Sequence, residues 1–205
     1  MKGPNFKFER QHLKLGARFI AGVDEVGRGP LAGPVGVAAV IFAADARPPR
    51  GIDDSKKLDQ PQREALFPLI LESAIAVSVA FASAEEIDLH NIRGATLRAM
   101  ARAVAGLSVR PDFALIDGRD VPDPLACPAR AIIDGDALSL SIAAASIVAK
   151  VARDRLMARA CAHFPGYGFS AHAGYATPFH REALDRLGPS PLHRRSFKSK
   201  ASQAS

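Results

Sequence analysis

The sequence predicts an α/β protein built on a mixed sheet. The first apolar runs suit a meander of strands, whereas the later ones alternate with segments of helical spacing. Hydrophobic residues make up 48% of the 205 positions, which is enough for the core of one ordinary domain. We therefore expect a single domain over residues 1–205, with a polar N-terminal arm or short helix at 1–17 and a basic C-terminal tail at 189–205.

Short runs rich in Val, Ala, Ile and Phe are expected as strands, because they combine high β propensity with turn residues at their ends. These runs are 19–23, 35–42, 75–81, 113–116 and 131–133. The earlier runs would form the meander, and the later ones lie among helices.

Helices are expected where a capping residue starts a segment or where apolar residues recur at helical spacing. Pro61 suits the first turn of a helix that ends near Glu72, and Ser83 with Glu86 forms a capping box that starts a short helix. Further helices are expected at 92–107, 137–162 and 178–187. The segment 163–180, rich in Gly, Tyr and His, has the composition of a loop.

Charge and cysteine content restrict the class of protein. Lys and Arg number 27 against 21 acidic residues, and the net charge of +6 weakly favours a polyanionic partner. Cys127 and Cys161 form neither a disulfide framework nor a zinc motif, so we expect two reduced thiols. No apolar stretch reaches the length of about 20 residues that a membrane span needs. We expect a cytoplasmic protein without a membrane partner.

Acidic residues follow several of the predicted strands. Asp24 and Glu25, Asp117, and Asp136 with Asp134 each come after a short apolar run. At one sheet edge, such carboxylates repel each other unless cations lie between them, and oxygen ligands without His or Cys favour Mg²⁺ or Mn²⁺. Two such ions would stabilise the attacking and leaving oxygens of a phosphodiester displacement. Acids are also common in turns after strands, so the spacing alone leaves both interpretations open.

The segment Gly27-Arg28-Gly29 predicts a loop in contact with a ligand. Pro30 and Pro34 prevent a helix from starting there, which excludes a dinucleotide-binding turn. Glycines allow the backbone to approach a ligand closely, and an arginine supplies a fixed cation for a phosphate. A plain tight turn before a strand is the alternative.

Hydroxyl and cationic residues form a stripe along the predicted helix 137–162. The stripe contains Ser139, Ser146, Lys150 and Arg153 and begins one turn after Asp136. A solvated helix face would explain it, but such faces usually mix acids with bases, and this stripe has no acid.

Loops carry further cations and aromatic rings. Lys56 and Lys57 lie in an Asp-Ser-Lys-Lys loop, and Tyr167 and Tyr175 lie in the Gly-rich segment with several histidines. An aromatic ring in a basic loop can stack on a base or a sugar. Additional cations lie in the tail, at Arg194, Arg195, Lys198 and Lys200.

Several of these segments together resemble bacterial ribonuclease H type 2. They are AGVDEVGRGPLAGPV, DDSKKL, NIRGATLRAMARAV, LIDG, GDALSLSIAAASIVAKVARDRLM, GYAT with a following His, and HRRSF. They cover most of residues 19–197 in the order found in that family. The resemblance implies a ribonuclease H-like fold, in which helices flank a mixed five-stranded sheet.

The resemblance also implies an activity and its site. The expected reaction is metal-dependent hydrolysis of the RNA strand of RNA–DNA hybrids, 5′ of a ribonucleotide, leaving a 3′-hydroxyl and a 5′-phosphate. Single ribonucleotides embedded in duplex DNA are expected substrates. Four metal-binding carboxylates are implied by position, at Asp24, Glu25, Asp117 and Asp136. They are expected to bind two ions, and the enzyme is expected to be a monomer.

Substrate contacts are implied by position as well. Gly27, Arg28 and Gly29 correspond to the loop that reads the ribose 2′-hydroxyl, and Tyr175 corresponds to the tyrosine that contacts this hydroxyl and packs on the neighbouring sugar. A second group, which would hold backbone phosphates or support the site, comprises Lys56, Ser146, Lys150 and Arg153.

Two positions depart from the family pattern. Asp134 stands where a Lys usually precedes Gly-Asp, so it competes with Asp136 for the metal-binding role, and Asp136 is preferred because it belongs to the Gly-Asp pair. Ala173 stands where a Lys commonly precedes Gly-Tyr, which would remove one phosphate contact. Two alternatives stay open: a non-catalytic nucleic-acid-binding domain, and a related enzyme such as ribonuclease H type 3 or a junction resolvase.

Overall fold

A mixed five-stranded sheet forms the centre of the protein in a computed structural model that describes residues 3–197. The strands are β1 (Ile20–Val26), β2 (Val35–Phe42), β3 (Ala74–Ala82), β4 (Phe113–Asp117) and β5 (Ala129–Ile132), in the order β3-β2-β1-β4-β5. The first three form an antiparallel meander, and β4 and β5 extend the sheet parallel to β1. The predicted fold class is therefore confirmed.

Seven helices accompany the sheet within residues 3–197. They are α1 (Lys7–Lys14), α2 (Gln60–Ser73), α3 (Ala84–Ala105), α4 (Gly135–Leu138), α5 (Leu140–His163), α6 (Phe169–His172) and α7 (Pro178–Leu187). In this part of the chain, no helix is both long enough and apolar enough to cross a bilayer. Helix α6 lies in the segment expected to be entirely loop.

The sheet separates two apolar cores. Alternate residues of β2 pack into opposite cores, because successive side chains of a strand point to opposite faces. Val37, Ala39 and Ile41 face α3, and Ala38, Val40 and Phe42 face α2 and α5. All eight residues of β2 are buried, so this central strand has no polar alternation in its sequence.

The capping signals in the sequence mark real helix starts. Asp59 and Gln62 form a reciprocal capping box at the start of α2, with Pro61 in the first turn. Ser83 accepts a hydrogen bond from the backbone N–H of Glu86 at 3.1 Å, and α3 begins directly after it. Both predicted helix starts are confirmed.

Helix α3 joins the two helices predicted on either side of Asn91. This residue has left-handed φ of 58° and ψ of 168°, which kinks the helix. Asparagine adopts such a conformation more readily than most residues, and its Oδ1 accepts a hydrogen bond from the Gly94 N–H at 3.0 Å.

The prediction of a single long helix at 137–162 is wrong. The chain is extended at Ser139, with φ −106° and ψ 129°, and this residue separates α4 from α5. The Ser139 hydroxyl accepts from the Ile142 N–H at 3.3 Å and donates to the Glu9 carboxylate at 2.7 Å. The break follows from these side-chain hydrogen bonds, which compete with a continuous helix.

The N-terminal segment packs against the rest of the protein through a short helix. Helix α1 lies against the start of α5, and Glu9 is buried there. Its Oε1 accepts hydrogen bonds from the Ser141 N–H at 2.9 Å and from the Ser139 and Ser141 hydroxyls at 2.7 Å. A carboxylate at a helix N-terminus is also favoured by the helix dipole.

Part of the expected C-terminal tail is folded. His193 and Arg194 are buried, and Asp88 accepts hydrogen bonds from the backbone N–H groups of Arg195 and Ser196. The remaining tail, 198–205, lies outside the described residues.

Replacing Glu9 tests how α1 contributes to stability. We expect Glu9→Ala to lower the free energy of unfolding by about 2–3 kcal/mol, because buried donors of Ser139 and Ser141 would lose a charged acceptor. Urea titration measures this change. Glu182→Ala, on the exposed face of α7, is the matched control and should stay within about 0.5 kcal/mol of the unmodified protein. Equal losses in the two variants would contradict the prediction.

Candidate active site

Three carboxylates meet at the carboxyl ends of two neighbouring parallel strands. Asp24 lies in β1, and Asp117 is the last residue of β4. The β1–β4 register, with Val23 opposite Ile116, makes these two acids neighbours. Asp136 enters from α4, directly after β5. One carboxylate oxygen from each of the three residues lies within 4.8 Å of the other two.

The turn after β5 brings Asp136 to the other acids. Asp117 Oδ1 accepts hydrogen bonds from the Gly135 N–H at 2.8 Å and the Asp136 N–H at 3.4 Å. A Cβ on Gly135 would lie only 2.8 Å from Ile142 Cδ1 and 3.1 Å from Asp117 Oδ1, so this approach favours glycine. Asp134 adopts a left-handed φ of 54° and is exposed. The structure therefore brings Asp136, and not Asp134, into the acidic group.

Glu25 lies apart from these three acids. It follows Asp24 directly on β1, so its side chain points to the opposite face of the sheet. Its Oε1 lies 3.5 Å from Arg28 Nη1, and its own backbone N–H donates to Asp24 Oδ1 at 2.6 Å. The four predicted acids thus divide into a compact group of three and one neighbour at the same strand end.

Crowding makes ionisation of these acids unfavourable. Burial, with the charges of Glu25 and Asp117, raises the pKa of Asp24 well above its ordinary value. Burial and the Asp136 charge raise the pKa of Asp117. Burial also raises the pKa of Glu25, although Arg28 opposes this effect. The group therefore favours a bound positive charge, which would relieve the repulsion.

Lys56 supplies one such charge. Its Nζ lies 3.1 Å from Asp136 Oδ2 and 3.8 Å from Asp54 Oδ1. Burial lowers the pKa of Lys56, but the hydrogen bond and the charge of Asp136 outweigh it, and the pKa is raised overall. The segment 53–57, which we call the lysine loop, is fixed to α5 because the Ser146 hydroxyl donates to Ser55 Oγ at 2.7 Å.

A cavity of about 480 Å³ opens beside the acids. Its lining comprises Glu25, Val26, Gly27, Arg28, Gly29, Ser55, Lys56, Arg63, Asp117, Ser146, Lys150 and Tyr175. Nine of these are candidate residues from the sequence. Arg63 has no sequence signal as a site residue. It donates to the Ser55 carbonyl oxygen at 3.0 Å and holds the lysine loop.

The Gly-Arg-Gly loop and Tyr175 lie side by side in this cavity. A Cβ on Gly29 would lie 4.0 Å from Tyr175 Cε1. The Tyr175 ring is 43% exposed, and the Arg28 side chain is half exposed. Both residues can therefore contact a molecule that enters the cavity.

Comparison with known proteins identifies the family. The family model described as Ribonuclease HII matches residues 21–200. The chain is 56% identical to a ribonuclease HII of Brucella ovis over 195 residues, covering 95% of this chain and 88% of the relative. It is 58% identical to a ribonuclease HII of Sinorhizobium fredii over 195 residues, covering 95% and 84%.

The chain belongs to the ribonuclease HII family. The crystal structure of ribonuclease H2 from Pyrococcus horikoshii superposes with a TM-score of 0.75 at 28% identity, covering 90% of this chain and 96% of that one. The family resemblance found in the sequence is confirmed, and the protein is a ribonuclease H, a hydrolase that acts on the RNA of RNA–DNA hybrids. A purely non-catalytic binding domain is thereby excluded.

Arg153 does not have the exposed position that a phosphate contact would need. Its guanidinium is fully buried and donates to three backbone carbonyl oxygens. The distances are 2.8 Å to Pro34, 2.9 Å to Ala173 and 3.2 Å to Ala32. Of the two roles expected for its group, phosphate contact or support of the site, this buried position favours support of the site. Lys150 is partly exposed and pairs with Asp154 at 2.7 Å.

Arg194 binds the Gly-Arg-Gly loop, whereas the sequence predicts it only as part of a basic tail. Its guanidinium donates to the carbonyl oxygens of Gly27 at 2.6 Å, Arg28 at 2.8 Å and Gly33 at 2.9 Å. Burial and the charge of Arg153 lower its pKa to about 9. Gly27 has φ of +87°, and a Cβ there would lie 2.1 Å from Arg153 Nε. Close packing of arginine against the loop therefore requires this glycine.

The charge crowding predicts a gain in stability when Asp24 is neutralised. With its pKa raised, Asp24 contributes stability below the ordinary carboxyl pKa, and this contribution is lost as the pH rises through the raised value. At neutral pH in EDTA, we expect Asp24→Asn to raise the free energy of unfolding by about 0.5–2 kcal/mol. Chemical denaturation at pH 7 and again at acidic pH measures this gain, which should shrink at the lower pH. A loss of stability at pH 7 would contradict it.

Proposed function

We propose that Asp24, Glu25, Asp117 and Asp136 are the catalytic residues of this ribonuclease H and bind two divalent ions, Mg²⁺ or Mn²⁺. The acidic group of three beside an open cavity is the observation that carries the proposal. The reaction would cut the RNA strand of hybrids and nick duplex DNA 5′ of an embedded ribonucleotide, leaving a 3′-hydroxyl and a 5′-phosphate. Its role would be the removal of misincorporated ribonucleotides.

The donor set fits such ions. Asp24, Asp117 and Asp136 offer only carboxylate oxygens, the ligands that Mg²⁺ and Mn²⁺ prefer. Two of the three also have raised pKa values, which reflects the cost of holding these charges together. When bound, the ions would supply activation of a water molecule and stabilisation of the leaving 3′-oxygen.

The acids have different surroundings, which suggest different parts in binding. Asp24 is buried, has the charges of Glu25, Asp117 and Asp136 around it, and would be a shared ligand of the two ions. Asp117 is held by backbone N–H groups of the following turn, so its free oxygen has a fixed direction. Glu25 lies at the edge, toward Arg28, and would complete the ligand set from the other face of the strand.

The Gly-Arg-Gly loop and Tyr175 would recognise the ribonucleotide. Gly29 and the Tyr175 ring lie beside one another in the cavity, so the loop backbone and the tyrosine would contact a 2′-hydroxyl together. The exposed ring offers an apolar face to a sugar. Arg194 holds this loop from behind through the carbonyl oxygens of Gly27 and Arg28, and Arg153 binds the carbonyl oxygens of Ala32 and Pro34, which follow the loop.

Cations along the cavity would hold the backbone of the substrate. Lys56, Lys150 and Arg28 line it. Because cations that neutralise phosphates release counterions from the nucleic acid, we expect the affinity for the substrate to fall as the salt concentration rises. Ser146 is buried and bonded to Ser55, so we assign it to support of the lysine loop. Both the RNA–DNA hybrid and the ribonucleotide-containing duplex present such phosphates.

Neutralising Asp24 tests the catalytic centre. We expect Asp24→Asn to reduce nicking of a DNA duplex with one ribonucleotide below detection, because an amide is a poor ligand for two cations. Binding of the same duplex should persist. A labelled duplex in Mg²⁺ or Mn²⁺, with an all-DNA duplex beside it, measures cleavage.

Asp134→Asn is the matched control for this experiment. Asp134 is exposed and lies two residues from Asp136, and Asn tolerates its left-handed backbone. This variant should cleave at the normal rate, whereas Asp136→Asn should not. Normal cleavage by Asp24→Asn, or loss of cleavage in Asp134→Asn, would reject the assignment.

Replacing Tyr175 tests ribonucleotide recognition. We expect Tyr175→Ala to lower kcat/KM on a single embedded ribonucleotide about 10- to 100-fold, the usual value of one aromatic contact to a nucleotide. Tyr175→Phe, which keeps the ring and removes the hydroxyl, should lose less. Steady-state kinetics on one duplex compares the variants. An unchanged rate for Tyr175→Ala would remove this residue from the site.

A further inference from the structure

Two buried histidines lie behind Tyr175. His180 is the third residue of α7, His193 lies in the C-terminal segment, and both are almost inaccessible to solvent. Their Nε2 atoms are 3.0 Å apart. The other ring nitrogen of His180 lies 2.8 Å from the Tyr175 carbonyl oxygen, and that of His193 lies 2.9 Å from the Ser190 backbone nitrogen.

These partners fix where the protons lie. The Ser190 N–H can only donate, so Nδ1 of His193 accepts and its proton is on Nε2. That N–H donates to Nε2 of His180, which leaves the proton of His180 on Nδ1. The His180 Nδ1–H then donates to the Tyr175 carbonyl oxygen. The result is a hydrogen-bond chain from Ser190 to Tyr175, with both rings neutral and every ring nitrogen paired.

The surroundings keep both rings neutral. His172 stacks on His180 at 4.4 Å between ring centroids, and Tyr167 lies beside His193 at 5.1 Å. The Arg194 guanidinium lies on the Gly-Arg-Gly loop, and the acids of α7, Glu182 and Asp185, are exposed. Burial lowers the pKa of His180, and burial with the charge of His180 lowers the pKa of His193 to about 4.

The Tyr175 backbone is the link between this chain and the cavity. Ala173 and Gly174, directly before it, have positive φ values of 49° and 85°, and the Gly174 carbonyl oxygen accepts from the Leu31 N–H at 2.9 Å. The segment is therefore attached to the loop that carries Gly29. The Tyr175 carbonyl oxygen also accepts from the Thr177 N–H at 2.8 Å. Fixing this carbonyl fixes the point from which the exposed ring extends.

We propose that His180 and His193 are positioning residues for Tyr175, holding its carbonyl so that its ring stays beside Gly29 in the cavity. This inference rests on the proposed role of Tyr175 in recognising the ribonucleotide. A proton added to His180 Nε2 would face the His193 Nε2–H, and a proton added to His193 Nδ1 would face the Ser190 N–H. Since both pKa values are lowered, the chain contributes stability above the ordinary histidine pKa and loses it as the pH falls toward about 4.

Four substitutions separate the links of the chain. His180→Leu removes both of its hydrogen bonds, whereas His180→Asn keeps a donor near the position of Nδ1. His193→Leu removes the donor to His180, whereas His193→Gln keeps a donor near the position of Nε2. His163→Leu, at the exposed end of α5, is the matched control. Each variant is assayed for melting temperature and for kcat and KM on the single-ribonucleotide duplex.

We expect His180→Leu to lower kcat/KM about 10-fold, the equivalent of one hydrogen bond, with His163→Leu unchanged. His180→Asn should melt at a lower temperature and still keep near-normal kcat/KM, because the bond to Tyr175 survives. His193→Gln should exceed His193→Leu in activity. If His180→Leu does not fold, the comparison of His193→Leu with His193→Gln carries the test, and equal activity of those two variants would overturn the proposal.

A double-mutant cycle with Tyr175→Ala separates positioning from general loosening. If His180 acts through Tyr175, His180→Leu should cause no further loss of kcat/KM in the Tyr175→Ala protein. If the losses of kcat/KM from His180→Leu and Tyr175→Ala multiply in the double variant, the positioning role of His180 is overturned, and Tyr175 keeps its place in the site. A Tyr175→Ala protein with unchanged activity would instead reject the proposed role of Tyr175, and the histidine inference with it.

Discussion

Repulsion among buried carboxylates is the constraint on which this site depends. Asp24 and Asp117 are neighbours because β1 and β4 are parallel and paired, and Asp136 joins them through a turn that Gly135 keeps narrow. Burial and mutual repulsion outweigh the backbone N–H groups that favour the charged carboxylates, as the raised pKa values of Asp24 and Asp117 show. The energy that keeps the acids together comes from the two apolar cores on either side of the sheet, not from the acids themselves.

The positive charges are arranged by a different principle. Arg153 and Arg194 are buried without a carboxylate partner within the described residues, and backbone carbonyl oxygens satisfy them instead. The hydrogen bonds from Arg194 to the Gly27 and Arg28 carbonyl oxygens restrain the Gly-Arg-Gly loop, and those from Arg153 restrain the chain that follows it at Ala32 and Pro34. Arg28 and Lys56, by contrast, are exposed and line the cavity.

Sequence reasoning was strongest where local physics decides the outcome. Pro61 and Ser83 mark helix starts, and the apolar run at 35–42 is a fully buried strand. It failed where a distant partner intervenes. Ser139 interrupts the long helix because Glu9, 130 residues earlier in the chain, binds its hydroxyl. A periodicity within 137–162 carries no information about that partner.

The sequence by itself determined the family, the mixed sheet and which acids to examine, because motifs and hydrophobic patterns are local properties of the chain. Tertiary structure decided which side chains meet. It separated Asp136 from Asp134, turned Glu25 to the opposite face and placed Arg153 in the interior. It also revealed the roles of Arg194 and of the histidine pair, since both act on backbone carbonyl groups that no residue pattern can specify.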